Sequence, residues 1–211
     1  MRLHGYRRCA ATWRVQLGLA LKGLEAELLL HDLPAEGLRS AVPAGSDAPR
    51  GPLPLLLLPD GQRLHNSLAI LEWLEEMRPS PALLPPDPAT RARVRAFAMV
   101  VATDVEPLHS LRVLGRLRAT GASEGQAQGW ARRAISEGLE AGEAMLDHAS
   151  GPFCFGDRPG LADIHLVPQL HAARHYGVEL VFPRLLAAEA ASLTLPAFQA
   201  TLRETQHANE P

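Results

Sequence analysis

Two short stretches of the chain combine residue types that can do chemistry. The first is Arg8-Cys9-Ala10-Ala11-Thr12, directly before an apolar helical pattern. A thiol at a helix start sits near free backbone N–H groups and the positive end of the dipole, and a neighbouring arginine adds a cation; both favour the thiolate. Cys9 therefore has two readings: a low-pKa nucleophile able to form a mixed disulfide, or a small, half-buried, inert thiol. Thr12 carries the nearest hydroxyl, and residue preferences read it as the N-terminal cap of the helix. The second stretch is His65-Asn66-Ser67, ahead of Ile70, Leu71, Trp73, Leu74 and Met77 at helical spacing. Ser67 at a helix start offers a hydroxyl and unsatisfied N–H groups to a carboxylate, or acts only as a cap. Asn66 can bond a carboxylate or an amine.

The elements that must position these residues alternate. Residues 2–6 suit a strand, and residues 12–21 a helix with Trp13, Leu17, Ala20 and Leu21 on one face and Gly23 as a stop. Residues 25–33 suit a strand. Residues 53–58 form an apolar run with prolines at its start, and the turn signal Pro59-Asp60-Gly61 returns the chain as a strand over 62–65. The helix beginning at Ser67 follows. Between the second and third strands, residues 34–52 are rich in Pro, Gly, Ala and Ser, and residues 35–41 can form a short helix. Five prolines lie in residues 78–88. Beyond residue 89 the pattern is helical throughout: one long helix over 91–117 bent by Pro107, a second over 126–148, a third over 161–176 interrupted near Pro168, and shorter ones around 183–191 and 196–203. The expected domains are therefore 1–78 (α/β), a linker at 79–88 and 89–211 (all-helical). A mixed sheet with a proline opening its third strand, followed by an α domain, fits a thioredoxin-like domain joined to a helical bundle.

The composition narrows the class of function. The chain has 211 residues, 46% hydrophobic and 21% charged, with a formal charge of −2, so no global field favours nucleic acid or an anionic membrane. Its basic residues are nearly all arginine, with Lys22 the single lysine, a bias that reads as the stamp of a GC-rich genome. Cys9 and Cys154 are too few for a disulfide framework, and Cys154, between Phe153 and Phe155, reads as core. The first residues lack the apolar stretch of a signal peptide, and the longest apolar run is too short to cross a bilayer. A soluble protein of a reducing, cytoplasmic compartment is expected.

Several separate segments agree with one family. Residues 8–15, followed by Leu19-Ala20-Leu21-Lys22-Gly23, resemble the signature of zeta-class glutathione transferases, the maleylacetoacetate and maleylpyruvate isomerase-like enzymes. Residues 65–76 resemble the glutathione-binding segment of that family, and Pro79-Ser80-Pro81-Ala82-Leu83-Leu84-Pro85 its linker. Asp104-Val105-Glu106-Pro107-Leu108 through Val113-Leu114, then Gly156-Asp157, Leu161-Ala162-Asp163 and Leu166-Val167-Pro168-Gln169, resemble its helical domain.

The resemblance implies glutathione as cofactor, a small electrophile or maleyl-type acid as substrate, a homodimer, and neither nucleic acid, membrane nor metal. It implies that Arg8, the backbone of Leu53, the cis-proline position Pro54, Asn66 and Ser67 hold glutathione. The family holds the glutathione sulfur with a serine hydroxyl, and Cys9 stands at that position, followed by Ala10 and Ala11. On the substrate side a family arginine corresponds to His175, with Arg174 beside it. Glu106 replaces a glutamine or histidine and would repel an anion, and Leu111 replaces a further arginine, with Arg112 adjacent. The thiolate chemistry implied is addition to a conjugated double bond, rotation and release. Two alternatives accompany it: a thiol transferase with Cys9 as nucleophile, and a binding protein that keeps the fold without turnover. Residues 34–52, which read as shorter than in relatives and border the glycyl end of the ligand, bear on the second. Asp163 reads as folding: three residues after Gly160, it can reach back to a helix-start amide.

Overall fold

A computed structural model describes residues 1–6, 9–31, 53–147 and 149–207, with backbone alone for 203–207. Arg8 and residues 34–52, including the helix expected at 35–41, lie outside the described residues. The element order begins β1 (Arg2–Tyr6), α1 (Ala10–Leu21), β2 (Glu27–His31), β3 (Leu55–Leu57), β4 (Arg63–His65), α2 (Ser67–Met77). It continues α3 (Pro88–Met99), α4 (Leu111–Ala119), α5 (Glu124–Met145), α6 (Leu161–His175), α7 (Pro183–Leu193) and α8 (Pro196–His207).

The four strands form one sheet in the order β2-β1-β3-β4. β1 pairs with β2 in parallel, and β3 is antiparallel to both β1 and β4. It follows that the C-terminal ends of β1, β2 and β4 and the N-terminal end of β3 share one edge of the sheet. Leu3 and Gly5 of β1 face α1, while Arg2, His4 and Tyr6 point the other way. Gly5 is required where it stands: a Cβ there would collide with the side chain of Thr12. Gly5→Ala is expected to lower stability by about 1–3 kcal/mol by overpacking, measurable as a lower urea midpoint with unchanged slope.

The chain divides into two units, Met1–Ala82 with Leu195–Pro211, and Leu83–Thr194. The division falls inside the stretch 79–88. The sequence reading put 89–211 in one helical domain, whereas α8 groups with the first unit, on α1, where the Trp13 indole N–H donates to Thr201 Oγ1 at 3.0 Å.

In the second unit the long helix expected over 91–117 is broken. After α3 the backbone widens into a π-helical stretch (Val100–Val105), tightens into a 3₁₀ turn (Glu106–His109) and leaves helical geometry at Ser110, with ψ 147°. Pro107 has no N–H to continue the ladder, and the Ser110 hydroxyl instead caps α4 by accepting from Val113 N–H at 3.4 Å. The interruption expected at Pro168 is absent: α6 runs unbroken through it. Only the single bond that the proline nitrogen cannot donate is lost. α6 starts where the Asp163 carboxylate accepts from Gly160 N–H and from Cys154 N–H, both at 2.9 Å. Burial pushes the pKa of Asp163 up while these two amides oppose it, and burial first, then the Asp163 charge, pushes the Cys154 thiol well up. Cys154 is thus a core thiol and Asp163 a helix-start residue.

Candidate glutathione site

α1 begins at Cys9, its N-cap, and the first helical bond runs from Trp13 N–H to Cys9 C=O at 3.0 Å. The Cys9 side chain makes no capping bond, is half-buried and is in no disulfide. Ala10 and Ala11 occupy the first two helical positions, so their amides have no intrahelical acceptor. Thr12 does not cap the helix as its type suggested. Its Oγ1 accepts from the Tyr6 N–H at 3.3 Å, its methyl lies over Gly5, and the residue is 1% exposed. The competing pull is the close approach of β1, which gives the hydroxyl a donor on the strand rather than on its own helix. Tyr6 is a residue that the motif search passed over. Burial raises its pKa, and the nearby Cys9 thiol raises it further. Its place as the last residue of β1, three before Cys9, was the available signal.

The second helix start is set differently from expectation. Asn66, not Ser67, is the N-cap of α2, and its Oδ1 accepts from Leu68 N–H at 3.0 Å. Asn66 holds φ 70°, ψ 124°, and among the described residues it is the single non-glycine with positive φ. That conformation costs on the order of 1–3 kcal/mol. Ser67 is the first helical residue and is 5% exposed, and among the described residues its hydroxyl has no hydrogen-bond partner. The Leu53–Pro54 peptide is cis, and β3 starts just after it, at Leu55.

Cys9, the Leu53–Pro54 peptide and the Asn66–Ser67 turn therefore follow β1, precede β3 and follow β4. Those three strand ends share one edge of the sheet. Two helix N-termini and the backbone at the head of β3 converge there, the place where open α/β sheets bind ligands.

The residues expected to meet substrate lie in the second unit. Arg174 is committed to Glu189: its Nη1 and Nη2 reach the two carboxylate oxygens at 2.6 and 2.5 Å, which holds its own pKa up. His175 is exposed, with its ring edge-on to Tyr176 at 5.3 Å. Glu106 is half-buried in the 3₁₀ turn, and Arg112 is exposed in the first turn of α4, with no ion pair among the described residues. Sequence reasoning missed a polar cluster in the same unit. His109 is 7% exposed, its Nε2 lies 3.4 Å from Gln169 Oε1, and the Tyr176 hydroxyl donates to the His109 carbonyl at 3.1 Å. Gln169 and Tyr176 lie 60 and 67 residues after His109, beyond any local pattern. No group of three or more His, Cys, Asp or Glu among the described residues is arranged to hold a metal ion. Among the described residues no single helix is long and apolar enough to cross a membrane.

The glutathione S-transferase N-terminal domain family matches residues 8–77, and the C-terminal domain family matches residues 89–191. The chain belongs to the glutathione S-transferase family. It is 41% identical to the maleylacetoacetate isomerase of Pseudomonas aeruginosa over 100% of this chain and 98% of that protein. It is 43% identical to the maleylacetoacetate isomerase of Anaeromyxobacter dehalogenans, whose crystal structure carries dicarboxyethyl glutathione and citrate in the active site. That likeness has TM-score 0.84 and covers 95% of this chain and 93% of that one. A maleylpyruvate isomerase described as a bacterial zeta-class glutathione S-transferase is 38% identical, with TM-score 0.83, over 95% of this chain and 96% of that one.

Proposed function

We propose that this transferase is a glutathione-dependent cis–trans isomerase of a maleyl-type acid. The observation that carries the reading is the shared sheet edge, where the α1 amides and Cys9 stand with the strained Asn66 and the Ser67 hydroxyl, which has no hydrogen-bond partner among the described residues. Glutathione has one thiol and two carboxylates, and the residues fit those groups. The amides of Ala10 and Ala11 stabilise a thiolate through partial positive charge. The Ser67 hydroxyl, and the first-turn amides of α2 other than the Leu68 amide held by Asn66, would donate to a carboxylate of the γ-glutamyl end. The backbone of Leu53, with no hydrogen bond among the described residues, is free to pair with the peptide part. When bound, glutathione supplies a thiolate that adds to the conjugated double bond, allows rotation about it as a single bond, and leaves. The chain's part is to hold that sulfur ionised. Cys9 Sγ–H would donate a weak hydrogen bond to it, in place of the serine hydroxyl that the family resemblance implies.

On the substrate side, Arg112 and His175 carry the recognition of the acid, since Arg174 is engaged by Glu189. Assembly as a homodimer and a cytoplasmic location belong to the same reading; gel filtration with light scattering tests the first.

Turnover of maleylpyruvate or maleylacetone to the fumaryl isomer, with and without glutathione, tests the function. Absence of glutathione-dependent turnover would overturn it. Ser67→Ala is expected to weaken glutathione binding by about tenfold or more, the worth of a hydrogen bond to a charged group. Titration calorimetry that finds equal affinity in both proteins would remove Ser67 from the site.

A second reading keeps Cys9 as a nucleophile in glutathione-dependent thiol transfer. It is favoured by one observation: the Cys9 thiol stands at the head of α1, half-buried and in no disulfide.

A further inference from the structure

One titratable pair, with His4 buried and His31 half-buried, has no part in the chemistry above. His4 of β1 and His31 of β2 have ring centroids 5.4 Å apart and planes 6° from parallel. His4 Nδ1 lies 3.1 Å from His31 Nε2, and His4 is 3% exposed. The second ring nitrogen of His4, Nε2, is buried without a hydrogen-bond partner. In the parallel register Tyr6 is opposite His31 and His4 opposite Leu29, so the two imidazoles meet diagonally on the sheet face turned away from α1. His31 is the last residue of β2 and Tyr6 the last of β1. The pair therefore clamps the two strand ends at the edge where the candidate glutathione site stands.

An imidazole–imidazole hydrogen bond needs one ring to donate and the other to accept. It survives with no extra proton or with one, and it is lost when both rings are protonated. Two imidazolium ions at this separation also repel, and the burial of His4 limits the water that could screen them. Among the described residues, the register identifies the charged and titratable groups facing the pair. They are Arg2 and Tyr6 on β1, Glu27 on β2, and Arg63 and His65 on β4, while β3 presents only Leu55 and Leu57. Glu27 is the single acid in that set; Arg2 and the partner ring oppose a second proton. Burial, then His31, then Arg2, hold the His4 pKa below its ordinary value, against Glu27. A depressed histidine value means that stability is complete above the unfolded value of about 6.5 and is lost as pH falls below it toward the folded one.

We infer that the His4–His31 pair is an acid-sensitive clamp, closed at neutral pH, which on double protonation parts the ends of β1 and β2 and weakens the glutathione site beside them. This rests on the proposed glutathione site only for its consequence; the clamp itself is a property of the strands.

The test uses the full chain, with S-methylglutathione as probe, because it has no thiol to titrate. Calorimetry at about pH 7.5 and about pH 5 is expected to show about tenfold weaker binding in acid for the natural protein. His31→Gln keeps a hydrogen-bonding partner for His4 but cannot become a cation, and should bind with nearly equal affinity at both pH values. His4→Gln provides the same test should the first variant fold poorly. An equal loss in the glutamine variants, or none in the natural protein, overturns the inference. Amide hydrogen exchange, corrected for the intrinsic effect of pH, separates the clamp from the ligand. If the probe binds at neither pH, the glutathione site is wrong. The clamp then stands if acid speeds exchange in β1 and β2 of the natural protein alone, and falls if exchange matches the variants.

Discussion

Replacing Lys22 by methionine is expected to destabilise the protein by about 3–5 kcal/mol, the cost of breaking a buried ion pair from one side. Lys22 closes the C-terminal end of α1 and is 1% exposed. Its ammonium donates to Glu75 Oε2 at 2.5 Å and to the carbonyls of Arg78 and Pro81 at 2.6 Å each. These acceptors lie 53 to 59 residues away, on α2 and on the chain leaving it. Three acceptors around one point match the three hydrogens of an ammonium. The flat guanidinium fork of arginine does not fit that arrangement, so Lys22→Arg should recover little although it keeps the charge. Urea unfolding at neutral pH measures both. The paired change Lys22→Met with Glu75→Leu should regain most of the loss, because it also removes the buried carboxylate. A loss below about 1 kcal/mol for Lys22→Met would show that the ammonium is not needed to hold these segments. The arginine bias of the composition thus has an exception with a physical cause: the one lysine stands where an arginine cannot.

The second large effect is expected at Cys9. In the isomerase reading, Cys9→Ala removes a side-chain donor aimed at the glutathione thiolate. kcat should fall by up to about tenfold, the upper end of what one modest hydrogen bond contributes. Cys9→Ser, by restoring a hydroxyl, should match or exceed the natural rate. In the thiol-transfer reading the serine variant is as dead as the alanine one, since a hydroxyl cannot form the mixed disulfide. The two substitutions, each assayed with a maleyl acid and with a glutathione mixed disulfide, separate the readings. The pH dependence of Cys9 alkylation adds a check. A nucleophile at a helix start titrates well below the ordinary thiol value of about 8.5, and an inert donor does not. If neither substitution changes either rate, Cys9 is not at the centre of the chemistry, and the amides of Ala10 and Ala11 hold the thiolate alone.

The strands and helices of the first unit were legible because each is a short stretch with its own period and its own stop. Gly23 ends the α1 pattern, and Pro59-Asp60-Gly61 separates β3 from β4. Both helix starts that make up the candidate site were legible for the same reason. The substrate side was less so. Arg174 looked available beside His175, but Glu189, fifteen residues on, pairs with both of its terminal guanidinium nitrogens. Ser67 looked like a cap, but the turn is made by Asn66, because a side chain one residue earlier reaches the Leu68 amide once the backbone adopts positive φ. The helix break at Ser110 was missed because Pro107 announced only a bend; the serine competes for the same amide that would have continued the helix.

By itself the sequence determined what is local: the element order, the family, and the thiol, amide and hydroxyl placed at two helix starts. These depend on the residues within a turn or two of each position, and the periodicity shows them. The tertiary structure alone decided which groups are already engaged. It gave Lys22 to Glu75, Arg174 to Glu189, Thr12 to Tyr6 and His4 to His31, and it laid α8 on α1. Such pairings depend on strand register and on which helix face turns inward, and those are fixed by packing the whole unit rather than by any window of the chain. A charged or titratable side chain reads the same in sequence whether it awaits a ligand or already holds a partner. The free energies of those two states differ only once the partner is beside it and water is gone.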